Sequence, residues 1–351
     1  MIGVITALPV ESAALAHVLG SAPVQPVPHD RNLYAVVDLN ALRVVTTSLA
    51  TTGNPAAADA CANLVRSFPS VRAVIMCGIA LGAPGRGVLL GDVVVGSGGV
   101  FHYSHRRVTD EGSSSRGLPQ PASPGLLRHV NEVRAAEFRR EAPWLRLLTD
   151  PPPAFARPPS DHDCRVHYGR IGSGDELLRS AARRDQLAAA DDLLAIEMEA
   201  AGVAVSAALS GRECLVVRGI SDYGDADKND AWQPAAALSA AAYVWGLLEQ
   251  VSRSGPTSVP DALTLVGLME QVPSLQTPED RHSVLRLVDP RAAAMAPQDR
   301  RTRPALLGLV SLLQQYPSGL DDLVRVLQRL EGEDSAPVCA LEAALRNYDA
   351  Q

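Results

Sequence analysis

The sequence predicts an α/β sandwich followed by a small all-α helical bundle. Up to about Val251, short apolar runs rich in Val, Ile and Leu alternate with Ala-rich segments of helical character. Continuous apolar strands of this kind are typical of a sheet buried on both faces, with helices covering it. Beyond residue 260 the strand-like runs stop and only helical patterns remain.

The first elements are a strand and a helix. Residues 2–7 form a β-branched run that Pro9 closes, and ESAALAHVL then begins with Glu11 and continues as a helix. The next strand candidates are LYAVVDL, LRVVTTSLA, VRAVIMCGIA, GDVVVGSGGV, LLAIEME and ECLVVRGISD. Helix candidates cover 54–68 and 200–210, and a helix over 234–251 closes the domain.

Two regions interrupt this alternation. Residues 109–159 are rich in Ser, Arg, Pro and Gly, which indicates a long insertion or loop region with one helix near 125–140. Residues 253–260 have the composition of a linker. The predicted organisation is therefore a catalytic domain over 1–252, a linker over 253–260 and a helical interaction domain over 261–351.

The second domain is predicted as a bundle of about five helices. DALTLVGLMEQV, PEDRHSVLRLV, RPALLGLVSLLQQY, GLDDLVRVLQRL and VCALEAALRNY each carry Leu or Val at three-and-four spacing. No clustered His, Cys or acidic pair is aimed inward from these stripes, so an interaction role is favoured over catalysis.

Composition excludes several classes of partner. The net charge is −7 and no block of Lys or Arg occurs, which argues against binding to nucleic acid. The five dispersed cysteines and the absence of a leader-like start indicate a reducing, cytoplasmic setting. Since no apolar run approaches the roughly 20 residues needed to span a bilayer, no membrane partner is expected.

Candidate site residues stand at the ends of predicted strands, where ligands collect in open α/β sheets. They are Glu11, the glycine turn Gly78-Ile79-Ala80-Leu81-Gly82, Glu197-Met198-Glu199 and Ser221-Asp222.

Glu197 and Glu199 are separated by one residue and would point to the same side of an extended segment. Two like charges there are costly unless hydroxyls or cations fill the gap, which a ribose diol would do. The alternative is a helix N-terminus, where acidic residues are favoured without any ligand.

Asp222 follows an apolar strand, and partial burial would raise its pKa and make it a general acid. Cleavage of a nucleoside requires such an acid, because the base departs well only when a ring nitrogen is protonated. The alternative is an Asp that caps the following turn.

Glu11 decides the nucleophile. A carboxylate after the first strand repels phosphate and suits water, which favours hydrolysis over phosphorolysis. Arg86, just past the glycine turn, is a cation that the sequence does not position. The glycine turn could bring backbone N–H groups close to a sugar or water.

Other chemistries find little support. His102, His105, His162, Cys164 and His167 have no second set at ligand spacing, so no metal is expected. Neither GxSxG nor a P-loop occurs, which disfavours a serine hydrolase and a P-loop nucleotidase.

Taken in order, these residues match a known family. Through IGVITALPVE, CGIALGA, LLGDVVV, RIGSGDELL, AIEMEAAGVA and VVRGISDYGD, the chain up to about Val251 resembles the nucleoside phosphorylase superfamily. Within it, the methylthioadenosine/S-adenosylhomocysteine nucleosidase branch is the most similar, and the IEMEA and RGISD segments are the specific ones.

The resemblance implies a three-layer sandwich with a mixed central sheet, no metal, no organic cofactor and a homodimer. It implies that Glu11 activates the attacking water, that Met198 and Glu199 hold the ribose, and that Asp222, with Ser221 beside it, protonates the purine. Phe101 is a further substrate-binding candidate, because the variable region expected to contact the 5′ group follows it.

Two segments resemble effector proteins. KNDAWQP is similar to nucleosidase domains of bacterial and fungal defence proteins, for which a nucleotide such as ATP is a possible substrate. PSLQTPEDRHSVLRLV and YPSGLDDLVRVLQRLE resemble helical effector-associated domains, which bind related helical domains on partners. The alternatives left open are a phosphate-dependent phosphorylase and a catalytically silent nucleotide-binding sensor.

Overall fold

The computed structural model describes residues 1–110, 112–115, 119–226, 229–253, 262–295, 299, 301–313, 316 and 319–349. The chain divides into two compact units, Met1–Arg253 and Ser254–Gln351. Apart from Arg253, the predicted linker lies outside the described residues.

The described strands all belong to the first unit. They are β1 (Ile2–Thr6), β2 (Gln25–Pro26), β3 (Leu33–Leu39), β4 (Leu42–Ser48), β5 (Ala73–Gly82), β6 (Val93–Val95), β7 (Val100–His102), β8 (Arg106–Thr109), β9 (Gly112–Ser115), β10 (Val166–Tyr168), β11 (Arg170–Ser173), β12 (Leu193–Glu197) and β13 (Glu213–Asp222). Its helices are α1 (Pro9–Leu19), α2 (Asn54–Ser67), α3 (Pro124–Phe138), α4 (Ala181–Asp191), α5 (Ala200–Leu209) and α6 (Gln233–Arg253).

The central sheet is mixed. Its main path has the strand order β10-β6-β13-β5-β1-β4-β3-β2, and β12, β11 and β7 continue from β5. β5 is parallel to β1 and to β13, whereas β12 is antiparallel to β5 and β6 is antiparallel to β13. β8 and β9 form a separate two-stranded sheet. The expected mixed sheet is confirmed.

Side chains that alternate along β5 enter two different cores. Ile75 and Cys77 pack with residues of α1, α3 and α6, whereas Val74 and Met76 pack with residues of α2 and α5. Because successive residues of a strand point to opposite faces, this alternation means that helices cover the sheet on both sides. The predicted three-layer sandwich is therefore confirmed.

The region 109–159 contributes more to the core than a surface loop would. Besides α3, it contains two 3-10 helices, Pro143–Leu148 and Pro153–Phe155. Trp144 is 1% exposed and packs edge-on against Tyr243 of α6, with ring centroids 5.5 Å apart. The Pro- and Arg-rich composition of the region did not indicate that Trp144 would be buried in the core.

The second unit is helical over its described residues. Its helices are α7 (Ala262–Met269), α8 (Pro278–Val288), α9 (Pro290–Ala294), α10 (Thr302–Leu313), α11 (Gly319–Glu331) and α12 (Ala336–Asp349). Five of them match the predicted segments, and the short α9 was not predicted. One buried core joins α7, α8, α9, α10, α11 and α12. No helix in the described part of the chain is both long and apolar enough to cross a membrane.

Candidate active site

The candidate residues converge at one end of β5, although the strands reach it from different directions. β1 and β13 run parallel to β5, whereas β12 arrives antiparallel, with Ile196 opposite Leu81. This antiparallel approach brings Glu197 back toward the glycine turn.

Glu11 lies in the first turn of α1 and is 2% exposed. Its Oε2 accepts hydrogen bonds from the backbone N–H groups of Ala7 at 2.7 Å and Leu8 at 2.9 Å, and its Oε1 accepts one from Ile79 at 2.8 Å. Burial raises the pKa of Glu11, while the Arg218 charge and the three amide donors oppose that rise. A fixed carboxylate with a raised pKa is suited to take a proton from water.

Gly78 allows Glu11 and Arg218 to approach each other. A Cβ at this position would overlap with Nη1 of Arg218 and with Oε1 of Glu11. Nη1 and Nε of Arg218 are buried and have no hydrogen-bond partner among the described residues. The guanidinium of Arg218 and the carboxylate of Glu11 therefore both pack against Gly78.

Arg218, in the middle of β13, is fully buried and was not predicted as a site residue. Its Nη2 contacts Oε2 of Glu197 and lies 3.7 Å from Oε2 of Glu199. Burial alone would lower the pKa of this guanidinium, but the carboxylates of Glu197, Glu199 and Glu11 raise it above its ordinary value. A cation surrounded by three carboxylates keeps its charge.

Glu197 is occupied by the protein itself. Besides Arg218, it accepts hydrogen bonds from the backbone N–H groups of Glu199 at 3.1 Å and of Ala200 at 3.0 and 3.1 Å. α5 begins immediately after Glu199, so the segment 197–199 is not extended throughout. The two carboxylates nevertheless both lie near Nη2 of Arg218, so a cation of the protein occupies the space between them.

Glu199 is 6% exposed and accepts a hydrogen bond through Oε1 from the backbone N–H of Gly53 at 3.1 Å. Burial, followed by the nearby charge of Glu197, raises the pKa of Glu199 to about 7. Its carboxylate has fewer protein donors than that of Glu197. Of the two, Glu199 is better able to accept hydrogen bonds from a ligand.

The buried side-chain amide of Asn54 joins the start of α2 to the start of α5. Oδ1 of Asn54 accepts from the backbone N–H of Gly202 at 2.8 Å and from Oγ of Ser173 at 3.1 Å. Oδ1 of Asp175 in turn accepts from the N–H of Asn54 at 3.0 Å and from its Nδ2 at 3.2 Å. This network fixes the start of α2, and with it Gly53, relative to the start of α5.

Asp222 ends β13 and is 7% exposed. Its Oδ1 accepts from the backbone N–H of Gly224 at 2.8 Å, and its Oδ2 accepts from Oγ of Ser221 at 3.0 Å. Ser221 Oγ also lies 3.4 Å from the carbonyl oxygen of Ala80, a weaker contact. The carboxyl group is thus held in one orientation on the glycine turn.

The remaining substrate-binding candidates have different environments. Ile79 and Met198 are half-buried, whereas Ala80 is buried. Phe101 is 6% exposed and belongs to an apolar cluster with Leu81 and Ile196. Its ring therefore contributes to the core beside the glycine turn.

Other cations and metal ligands lie elsewhere. Arg86 pairs with Asp192 at 2.9 Å and donates to the Ala188 carbonyl at 3.2 Å, so it is engaged with the end of α4. The rings of His102 and His105 are 6.4 Å apart. Within the described ranges, no group of three His, Cys, Asp or Glu side chains is arranged to hold a metal ion.

Residues 1–249 match the model of the phosphorylase superfamily, and residues 266–346 match effector-associated domain 2. These two matches account for most of both structural units.

Three relatives share the first region. The chain is 28% identical over 294 residues to a nucleotide-binding leucine-rich repeat-like protein of Hyaloscypha variabilis, covering 70% of this chain and 29% of that one. It is 28% identical over 262 residues to the ATP nucleosidase Cap17 of Escherichia coli, covering 68% and 49%. With a 5′-methylthioadenosine/S-adenosylhomocysteine nucleosidase of Mycobacterium bovis it shares 30% identity over 234 residues, covering 64% and 87%. The chain thus spans half or less of the first two relatives.

Solved structures share the fold. A futalosine hydrolase of Helicobacter pylori has a TM-score of 0.56 at 19% identity, covering 71% of this chain and 97% of that one. A 5′-methylthioadenosine/S-adenosylhomocysteine nucleosidase of Neisseria meningitidis has a TM-score of 0.56 at 23% identity, covering 71% and 98%. From these matches, the chain belongs to the phosphorylase superfamily and carries an effector-associated domain 2 after its catalytic-type domain.

Proposed function

We propose that the protein is an N-ribohydrolase that releases the free base, adenine, from a purine nucleoside or nucleotide. The observation that carries this proposal is the buried carboxylate of Glu11, fixed by three backbone donors beside Gly78 and facing the Nη1 of Arg218. A water molecule that reaches this carboxylate would donate a hydrogen bond to Glu11. The names of the nucleosidase relatives agree with this chemistry.

In the proposed reaction, water attacks C1′ of the ribose and gives a proton to Glu11. The C1′–N bond breaks, its electron pair stays with the purine, and Asp222 supplies a proton to a ring nitrogen. Glu199, with Met198 beside it, would hold the ribose hydroxyls. Gly78, Ile79 and Ala80 would line the side of the site from which water attacks. Ser221 would orient Asp222. Phe101 and Glu197 would support the residues that contact the substrate.

Hydrolysis is favoured over phosphorolysis for an electrostatic reason. Phosphate would have to enter beside the carboxylates of Glu11 and Glu199, and Arg218 is already paired with Glu197. Arg86 is engaged by Asp192 and adds no cation there. A neutral water molecule meets no such repulsion.

We also propose an effector role in a bacterial defence system, which the second unit supports. Its match to effector-associated domain 2 supports recruitment through a related helical domain on a partner protein. A homodimer and a cytoplasmic setting remain predictions from the resemblance and the composition.

The experiment is a product assay. The protein is incubated with ATP, AMP, adenosine, methylthioadenosine and S-adenosylhomocysteine, with and without phosphate, and free base and sugar products are separated. We expect free adenine and a reducing sugar without phosphate. Strict dependence on phosphate with ribose 1-phosphate as product would instead identify a phosphorylase, and binding without turnover would identify a sensor.

A further inference from the structure

A groove of about 470 Å³ runs between α1 and the β3–β4 pair in the first unit. Its α1 side begins at Ser12, which directly follows Glu11, and its sheet side includes Thr46 and Ser48. None of these lining residues belongs to the proposed reaction. The groove therefore lies next to the candidate base in the chain and is lined by residues to which the proposed reaction gives no role.

Arg31 lies at the end of this groove that is near the candidate base. β3 and β4 are antiparallel, and Oγ1 of Thr47 donates to the carbonyl of Leu33 at 2.9 Å, so the start of β3 lies beside the end of β4. Arg31 comes just before β3 and lines the groove together with Ser48 and Ala50 from the end of β4. β4 is parallel to β1, so this is the edge of the sheet at which Glu11 follows β1.

The charge along the groove is positive. Arg31 is the one charged side chain, and none is acidic, among the described residues that line it. The adjacent Asp30 is engaged away from the groove, since its carboxylate accepts from Tyr34 at 2.7 Å and from Ser67 of α2 at 2.5 Å. In a chain with a net charge of −7, a groove lined by one arginine, three serine hydroxyls and no carboxylate favours an anion.

Building on the nucleosidase function proposed above, we propose that this groove receives the 5′-phosphate groups of the substrate and that Arg31 is their ion partner. The substrate class is then a purine nucleoside 5′-phosphate in preference to an unphosphorylated nucleoside. Hydrolysis at C1′ leaves the 5′ group unchanged, so the groove contributes to binding and specificity only. Guanidinium and hydroxyl donors are the groups that phosphate oxygens accept from most readily.

The test compares kcat/KM of the full chain and its Arg31→Ala variant on ATP, AMP, adenosine and S-adenosylhomocysteine. For ATP and AMP we expect a loss of about tenfold or more, the size of one charge-assisted hydrogen bond, and little change for adenosine. The control is Arg43→Ala. Arg43 is an exposed arginine of β4 that pairs with Asp38 of β3 and does not line the groove. This variant should leave all four substrates unchanged.

Equal effects of Arg31→Ala on ATP and adenosine would overturn the proposal, as would a loss confined to S-adenosylhomocysteine. Calorimetric binding of ATP and adenosine to both proteins keeps the test separate from catalysis. If no base is released from any substrate but Arg31→Ala still weakens ATP binding selectively, the nucleosidase function fails and the phosphate groove stands.

Discussion

The backbone N–H of Ile79 donates to Oε1 of Glu11 at 2.8 Å and so links the glycine turn after β5 to the first turn of α1. The bond holds one carboxylate oxygen beside Arg218 and leaves that oxygen a further lone pair. The same contact sets the distance between the candidate base and the glycine turn. Ser221 connects the carboxyl group of Asp222 to this turn, because its Oγ contacts both Asp222 and the carbonyl oxygen of Ala80.

Glu11→Gln should strongly lower turnover while keeping the size of the side chain. An amide cannot take the proton of water, and its NH2 group would face backbone donors that now point at a carboxylate. We expect base release to fall by about 100- to 10,000-fold, the usual contribution of a general base. Binding of adenosine measured by calorimetry should survive. Full activity of this variant would remove Glu11 from the mechanism.

Asp222→Asn should impair only substrates whose leaving group needs a proton. A similar loss of about 100-fold or more is expected with adenosine. A p-nitrophenyl riboside, whose leaving group departs without protonation, should still be cleaved. Glu11→Gln should fail on both substrates, so this pair of variants separates the acid from the base. Equal losses of Asp222→Asn on both substrates would contradict the assignment.

The sequence could predict those parts of the site that depend on local pattern, but not those that depend on contacts between residues far apart in the chain. β3 and β13 have the predicted bounds because their apolar runs end at clear turn signals. Glu11 and Asp222 could be proposed from the sequence because each stands near the end of a predicted strand. Their positions required only local pattern and the general rule for strand ends.

Arg218 was missed because its role depends on long-range contacts. A single arginine in an apolar strand was the available signal, yet its partners come from β12 and α1. The roles of Glu197 and Glu199 were also not separable in sequence, since the backbone conformation at the start of α5 decides which carboxylate accepts from the N–H groups there. Asn54 had no distinguishing local pattern, although its network spans 148 residues to Gly202.

Gly78→Ala should damage the site through one methyl group. The added Cβ would overlap with Nη1 of Arg218 and Oε1 of Glu11, so one of them must move. A displacement near 1 Å of a catalytic group costs about 100-fold in rate. Gly85→Ala, in the 3-10 turn that follows β5, is the matched control because its Cβ would meet no atom within 4 Å. The idea fails if both variants hydrolyse substrate equally well.

Arg218→Met should destabilise the first unit. The change leaves the carboxylates of Glu197, Glu199 and Glu11 buried without their cation, and breaking a buried pair in this way costs about 3–5 kcal/mol. Arg43→Met, which breaks an exposed pair with Asp38, should cost less than about 1 kcal/mol. Urea unfolding followed by tryptophan fluorescence measures both, since all three tryptophans lie in the first unit. Equal costs would show that the buried charges are compensated in another way.

The pH dependence of stability should reveal Glu199. Its pKa is raised from 4.5 to about 7 in the folded protein, so the folded state binds the proton more tightly than the unfolded state. The resulting stability is fully present below pH 4.5 and is lost as the pH rises through 7. Glu199→Gln has no carboxyl group to ionise at this position, so its stability should not fall in this way as the pH rises.

The stability of Glu199→Gln relative to the native protein should therefore increase between pH 5 and pH 8, by on the order of 1–3 kcal/mol. Tryptophan-detected urea unfolding at both pH values measures this difference. Glu141→Gln is the control, because the Glu141 side chain is 65% exposed and its surface pair with Arg139 contributes little. A difference that is constant with pH would mean that Glu199 titrates normally, and the ribose-binding carboxylate would then be fully ionised at neutral pH.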